Sequence, residues 1–137
     1  MKFLYLLALV LVFSSCDTQK QINKTGYTVI RFGSGGGITG NTVSYSLYPN
    51  GKVWKSQSLK RDSVMLNKLP KSKVKELYLM VNSAGLDTVL MNQPGNLFYF
   101  IDIEKKNETN KLVWGRNGTT PPVEVLKVYD KLTKSIK

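Results

Sequence analysis

The sequence predicts an α+β fold: an antiparallel sheet of four to five strands with two helices packed on one face. Three observations predict it. Segments 27–32, 43–48, 52–56, 97–103 and 111–114 are rich in β-branched and aromatic residues. Two others, between Leu69-Pro70 and Gly85 and after Pro121-Pro122, repeat apolar residues with a helical period. The strands come in neighbouring pairs separated by short turns, an order that builds hairpins rather than parallel βαβ units.

Met1 to Ser15 holds one charge, Lys2, then an apolar run from Phe3 to Phe13 and the small pair Ser14-Ser15. That is the make-up of a secretory signal peptide, too short to span a bilayer. The single cysteine, Cys16, follows at once. An exported domain without a second cysteine cannot use it in an internal disulfide. The segment resembles a bacterial lipoprotein signal, with Cys16 as the lipidated first residue of the mature chain on a membrane of the cell envelope. Residues 16–25 are polar and without period, and read as a flexible tether. Residues 26–137 then form the single domain, large enough for an ordinary core.

The first strand, around Tyr27 to Phe32, and the second, around Val43 to Tyr48, flank Gly33-Ser34-Gly35-Gly36-Gly37-Ile38-Thr39-Gly40, which holds five of the eleven glycines. Glycine is tolerated where the backbone needs positive φ or close approach, so the run reads as an irregular hairpin tip. Gly35, Gly37 and Gly40 also satisfy G-x-G-x-x-G. Phosphate binding by that motif needs a helix next, whose free N–H groups hold the anion, and a strand follows instead. Pro49-Asn50-Gly51 predicts a tight turn into the strand Lys52 to Ser56. Val64-Met65-Leu66 suggests a short further return. In the first helix Val74, Leu77, Tyr78 and Val81 make one apolar face and Gly85 stops it. Asn92 to Asn96 reads as a turn. Leu97 to Ile103 is the strongest strand and is expected at the centre of the sheet. In the last helix Thr120 is the expected cap, with Val125, Leu126, Tyr129, Leu132 and Ile136 as the apolar stripe.

The chain has 20 basic and 9 acidic residues, a net charge of +11. Such a balance suggests anionic neighbours such as envelope lipid, polysaccharide or an acidic protein. Nucleic acid is not an expected partner: the lysines are scattered rather than interleaved with stacking aromatics, and the chain reads as exported. There is no histidine, and no cysteine beyond Cys16. Histidine-based nucleophilic catalysis and histidine- or cysteine-bound metals therefore lack their parts, so the expectation is a non-enzyme without cofactor or metal. Asp102 and Glu104 are the one close carboxylate pair, with Glu104 expected already in the turn.

Ser34 to Gly40 after a strand resembles the S-G-G-F-x-G signature of emfourin-like proteins, inhibitors of thermolysin-type metalloproteases. The likeness continues through Leu69-Pro70, the helix end Asn82-Ser83-Ala84-Gly85-Leu86, the strand around Tyr99 and the final helix after Pro121-Pro122. Ile38 stands where that family usually has Phe, and the hairpin at Asn50-Gly51 is an insertion relative to it. The resemblance implies binding of a metalloprotease, with Gly35, Gly36, Gly37, Ile38, Thr39 and Gly40 as the partner-binding loop. A loop with few side chains can enter a cleft with its main chain, Ile38 serving as the apolar anchor and Thr39 as a polar one.

Overall fold

The computed structural model describes residues 17–137; Cys16 and the signal-like segment 1–15 lie outside them. Its class is α+β, but the sheet has seven strands and there are three helices, more than the sequence signals predict. Along the chain these are α1 (described at residues 17–24), β1 (Tyr27–Gly36), β2 (Thr42–Leu47), β3 (Lys52–Gln57) and β4 (Asp62–Lys68). Then come α2 (Lys71–Ser83), β5 (Asn92–Gln93), β6 (Leu97–Lys105), β7 (Thr109–Gly115) and α3 (Val123–Ser135). The spatial order is β4-β3-β2-β1-β6-β7-β5. Every neighbouring pair is antiparallel except β5 with β7, so the sheet is mixed.

The strand alternation sorts the side chains into two faces. Ile30 and Phe32 of β1 stand beside Leu47 and Tyr45 of β2 and beside Ile103 and Ile101 of β6. These residues share one core with Leu112 and Trp114 of β7, with Val74, Leu77, Tyr78 and Val81 of α2, and with Val125, Val128 and Leu132 of α3. Val29, Phe100 and Val113 are buried outside that cluster, on the face the helices do not cover. Each fully buried aliphatic or aromatic side chain stabilises the fold by about 1.5–3 kcal/mol relative to exposure. Polar groups carried into the core find partners: the Tyr78 hydroxyl donates to the Leu47 carbonyl at 2.9 Å and the Tyr129 hydroxyl to the Gly33 carbonyl at 3.0 Å. Burial pushes the Tyr129 phenol up to about 12.

Helix α2 follows the expected face, and Gly85 reverses the chain after it at φ +63°. In α3 four of the five expected stripe residues, Val125, Tyr129, Leu132 and Ile136, lie in or against the core. Val128 is buried and Leu126 is exposed, and Thr120 does not cap, because Pro122 occupies the N-cap position without a side-chain bond. The Asn92-Gln93 turn is the short parallel strand β5.

Of the tether expected over residues 16–25, Cys16 lies outside the described residues, and residues 17–25 are ordered against the domain. Residues 17–24 are helical, and Ile22 is inserted into the core at 1 % exposure. Thr25 closes the helix by donating its hydroxyl to the Ile22 carbonyl at 2.8 Å and accepting from the Tyr27 amide at 3.2 Å. One apolar residue in a polar stretch has no period to reveal it, yet it ties the segment to the domain.

Candidate functional site

The glycine run divides into two parts with different jobs. Gly33 to Gly36 are not a loop; they complete β1, Gly33 to Gly35 pairing with both β2 and β6 and Gly36 with β6. A Cβ at Gly33 would stand 2.0 Å from the Val43 carbonyl oxygen, and one at Gly35 2.8 Å from the Phe98 ring. At Gly36, where φ is +94°, a Cβ would stand 1.9 Å from the Asn96 carbonyl oxygen. These glycines let neighbouring strands and a ring approach closely. Of the predicted loop, Gly35 and Gly36 therefore belong to the sheet, while Gly37, Ile38, Thr39 and Gly40 form the turn.

That turn is tied by main-chain bonds. The Gly36 amide donates to Asn41 at 3.2 Å, Gly37 to Asn96 at 2.8 Å, and Gly40 to Gly37 at 3.2 Å. With its backbone held, Ile38 projects fully into solvent at 108 % of its reference exposure. A second hairpin tip, residues 58–61 between β3 and β4, stands beside it. The Asn41 carboxamide oxygen accepts from the Ser58 hydroxyl at 3.2 Å and the Leu59 amide at 3.3 Å. Ser58 in turn accepts from the Thr42 amide at 2.8 Å. Leu59 is 64 % exposed, and Leu97, at the start of β6, is within 3.3 Å of where a Gly37 Cβ would lie. One end of the sheet thus offers Ile38, Leu59 and Leu97 to solvent, with exposed Lys60, Arg61 and Arg116 around them.

The sequence pattern points to Ile38 but not to Leu59, Leu97 or the Asn41 clamp. An apolar residue inside the polar stretch 58–63 is the one signal for Leu59. The clamp joins residues that lie 17 and 18 positions apart, which local spacing does not show.

The titratable groups lie elsewhere. Strand β6 runs to Lys105, so Glu104 is in the strand and shares the helix-free face with Asp102, contrary to the turn placement expected for it. Arg31, directly across in β1, holds both: its guanidinium is 2.7 Å from Glu104 and 3.5 Å from Asp102. Burial raises the Asp102 carboxyl above its ordinary value despite Arg31, and its Oδ1 has no partner among the described residues. Lys105 bonds Asp87 and holds that carboxyl below the usual range. Among the described residues no group of three or more acidic, His or Cys side chains could hold a metal ion. No helix among them is long and apolar enough to cross a membrane. In comparison with known proteins, no family model matches this chain, and no curated protein does.

Proposed function

We propose that this chain is a non-catalytic bacterial lipoprotein, anchored to the cell envelope through Cys16, that binds and inhibits a thermolysin-like metalloprotease with its paired hairpin tips. The observation that carries this reading is Ile38: a fully exposed apolar side chain on a turn whose backbone is fixed by four hydrogen bonds, those of Gly36, Gly37 and Gly40 and that from the Asn41 amide to the Thr39 hydroxyl. A turn already held in one shape loses little entropy on binding. Gly37 and Gly40 spend their amides on holding the turn, at Asn96 and Gly37, while Gly35 and Gly36 act from within the sheet. The ten residues of β1 separate the β1 end of α1 from the tip by about 33 Å at roughly 3.3 Å per residue.

The test is inhibition of thermolysin by the purified protein and by its Ile38→Asp and Leu59→Asp variants. Burying Ile38 is worth about 1.5–3 kcal/mol, so Ile38→Asp should weaken inhibition by at least about tenfold. Absence of inhibition by the wild type, or equal inhibition by the Ile38 variant, overturns the reading.

A second reading takes the basic surface as the binding element for anionic lipid or polysaccharide. Exposed Lys60, Arg61 and Arg116 at the same end as Ile38 and Leu59 favour it. Association with phosphatidylglycerol vesicles should then fall steeply as salt rises; salt-independent association, or none, removes it.

A further inference from the structure

Strand β4 ends the sheet on one side, and nothing among the described residues covers its outer edge. All seven of its residues are exposed, including the consecutive apolar run Val64, Met65 and Leu66 at 56, 48 and 43 %. Edge strands in stable proteins are ordinarily kept short, charged or bulged, because their unpaired amides and carbonyls accept any extended chain. The opposite edge obeys this: β5 has two residues. In β4 a register shift falls at Leu66, between the pairs Trp54–Met65 and Val53–Asn67, while Asp62 to Met65 run in regular register with Gln57 to Trp54. The regular half is therefore free to accept a further strand, and the shift limits how far that strand can continue.

Two further observations say what would occupy it. Val64 lies across from Lys55 on the helix side of the sheet, and Leu66 lines a groove of about 450 Å³ with Tyr45, Lys55, Tyr129 and Ile136. Side chains pointing to that side of an added strand would lie along apolar walls. The hairpin 52–68 also carries Lys52, Lys55, Lys60, Arg61 and Lys68 against the single carboxylate Asp62, and none of these five cations is in an ion pair among the described residues. Two copies of this hairpin would bring like charges together, whereas an acidic segment would be drawn to it.

We infer that β4 is a strand-addition site for an extended segment of a partner protein, one with a short apolar centre flanked by acidic residues. Main-chain bonds to Asp62–Met65 supply the pairing, the groove beside Leu66 takes the apolar side chains, and the lysines and Arg61 hold the flanks. This site uses none of Ile38, Leu59 and Leu97, although Lys60 and Arg61 border both surfaces.

The probe is the peptide acetyl-Glu-Glu-Val-Leu-Val-Glu-Glu-amide, titrated into the isotopically labelled protein and followed by amide chemical shifts. Shifts should concentrate in residues 62–66 and the Leu66 groove. Affinity should drop about tenfold for the probe with lysine in place of each glutamate, and by a similar factor for the Leu66→Ser protein. Leu66 is exposed at an edge, and an unchanged spectrum of the free variant verifies its fold. Shifts centred elsewhere, equal affinity for the lysine probe, or no binding overturn the proposal. So does sedimentation showing a dimer of the free protein that Val64→Lys disperses, because the occupant would then be a second copy.

Discussion

If Gly36 and Gly40 do different jobs, replacing each with alanine should separate them. At Gly40 φ is +61° and an added Cβ meets nothing within 4 Å. The left-handed conformation costs an L-residue about 1–2 kcal/mol, and the reduced freedom of the unfolded chain returns about 0.4–1 kcal/mol. Gly40→Ala should therefore lower stability by no more than about 1.5 kcal/mol, the difference of those two ranges. At Gly36 the same strain applies at φ +94°, and the Cβ would sit 1.9 Å from the Asn96 carbonyl oxygen, well inside any permitted contact. Relief requires β1 and the start of β6 to separate. That loosens the Gly36–Leu97 pairing and the Gly37 amide bond to Asn96, each bond being worth about 0.5–1.5 kcal/mol. Strain and lost bonds together come to about 3 kcal/mol. Urea unfolding followed by far-ultraviolet circular dichroism measures both variants. If Gly36→Ala falls within about 1 kcal/mol of wild type, or Gly40→Ala is the more damaging, the division of the glycine run into sheet and turn is wrong.

Four other outcomes are expected. Ile22→Ala should cost about 2–5 kcal/mol in the same unfolding measurement, because Ile22 is a core residue; a change near zero would restore the tether view of residues 17–25. Tyr78→Phe should cost about 1–2 kcal/mol, since the Leu47 carbonyl loses its buried donor. Asp102→Asn should stabilise the protein at neutral pH, with the gain shrinking as pH falls through the raised folded value, because the folded state then binds a proton more tightly than the unfolded one. Asp87→Asn should do the reverse: it removes stability present above the ordinary carboxyl value, and its cost should vanish as pH falls through the lowered folded value. Urea midpoints across the acid range measure both carboxylates.

What local chemistry specifies was legible in the sequence. Asn50-Gly51 makes its turn, with Gly51 at φ +87° and the Asn50 side chain accepting from the Lys52 amide at 3.0 Å. The α2 face was readable because Val74, Leu77, Tyr78 and Val81 all meet one core. Strand β5 was not, since Asn92 and Gln93 are poor strand formers placed there by Val113, whose amide bonds Met91 at 2.8 Å. In α3, Leu126 and Val128 are both apolar, and the position of α3 over Gly33 and Trp114 decides which one is buried. Val64 to Leu66 reads as a strand, but no pattern shows that its hairpin ends the sheet. At the candidate site, Ile38 stood out among glycines. Composition alone does not distinguish a glycine that lets strands approach, as at Gly36, from one that lets a turn form, as at Gly40.

Away from the tips, the fold uses its polar and charged groups internally. Three tyrosine hydroxyls within or beside the core have structural partners: Tyr78 on Leu47, Tyr129 on Gly33 and Tyr27 on Asn82. The shifted carboxylates face cations that pair with them, Asp87 with Lys105 and Asp102 with Arg31. Even the glycines of β1 are consumed by strand contacts. Ile38 and Leu59 are among the apolar side chains that folding leaves exposed, and they stand on tips tied to each other. Each remains in water, and the Asn41 side chain fixes the turn bearing one to the hairpin bearing the other without burying either. Folding gains nothing from leaving two aliphatic side chains exposed on a rigid frame, whereas a partner that covered both would gain their burial at little entropic cost. For that reason the tips, and not the charged groups of the sheet, are the surface we propose for binding.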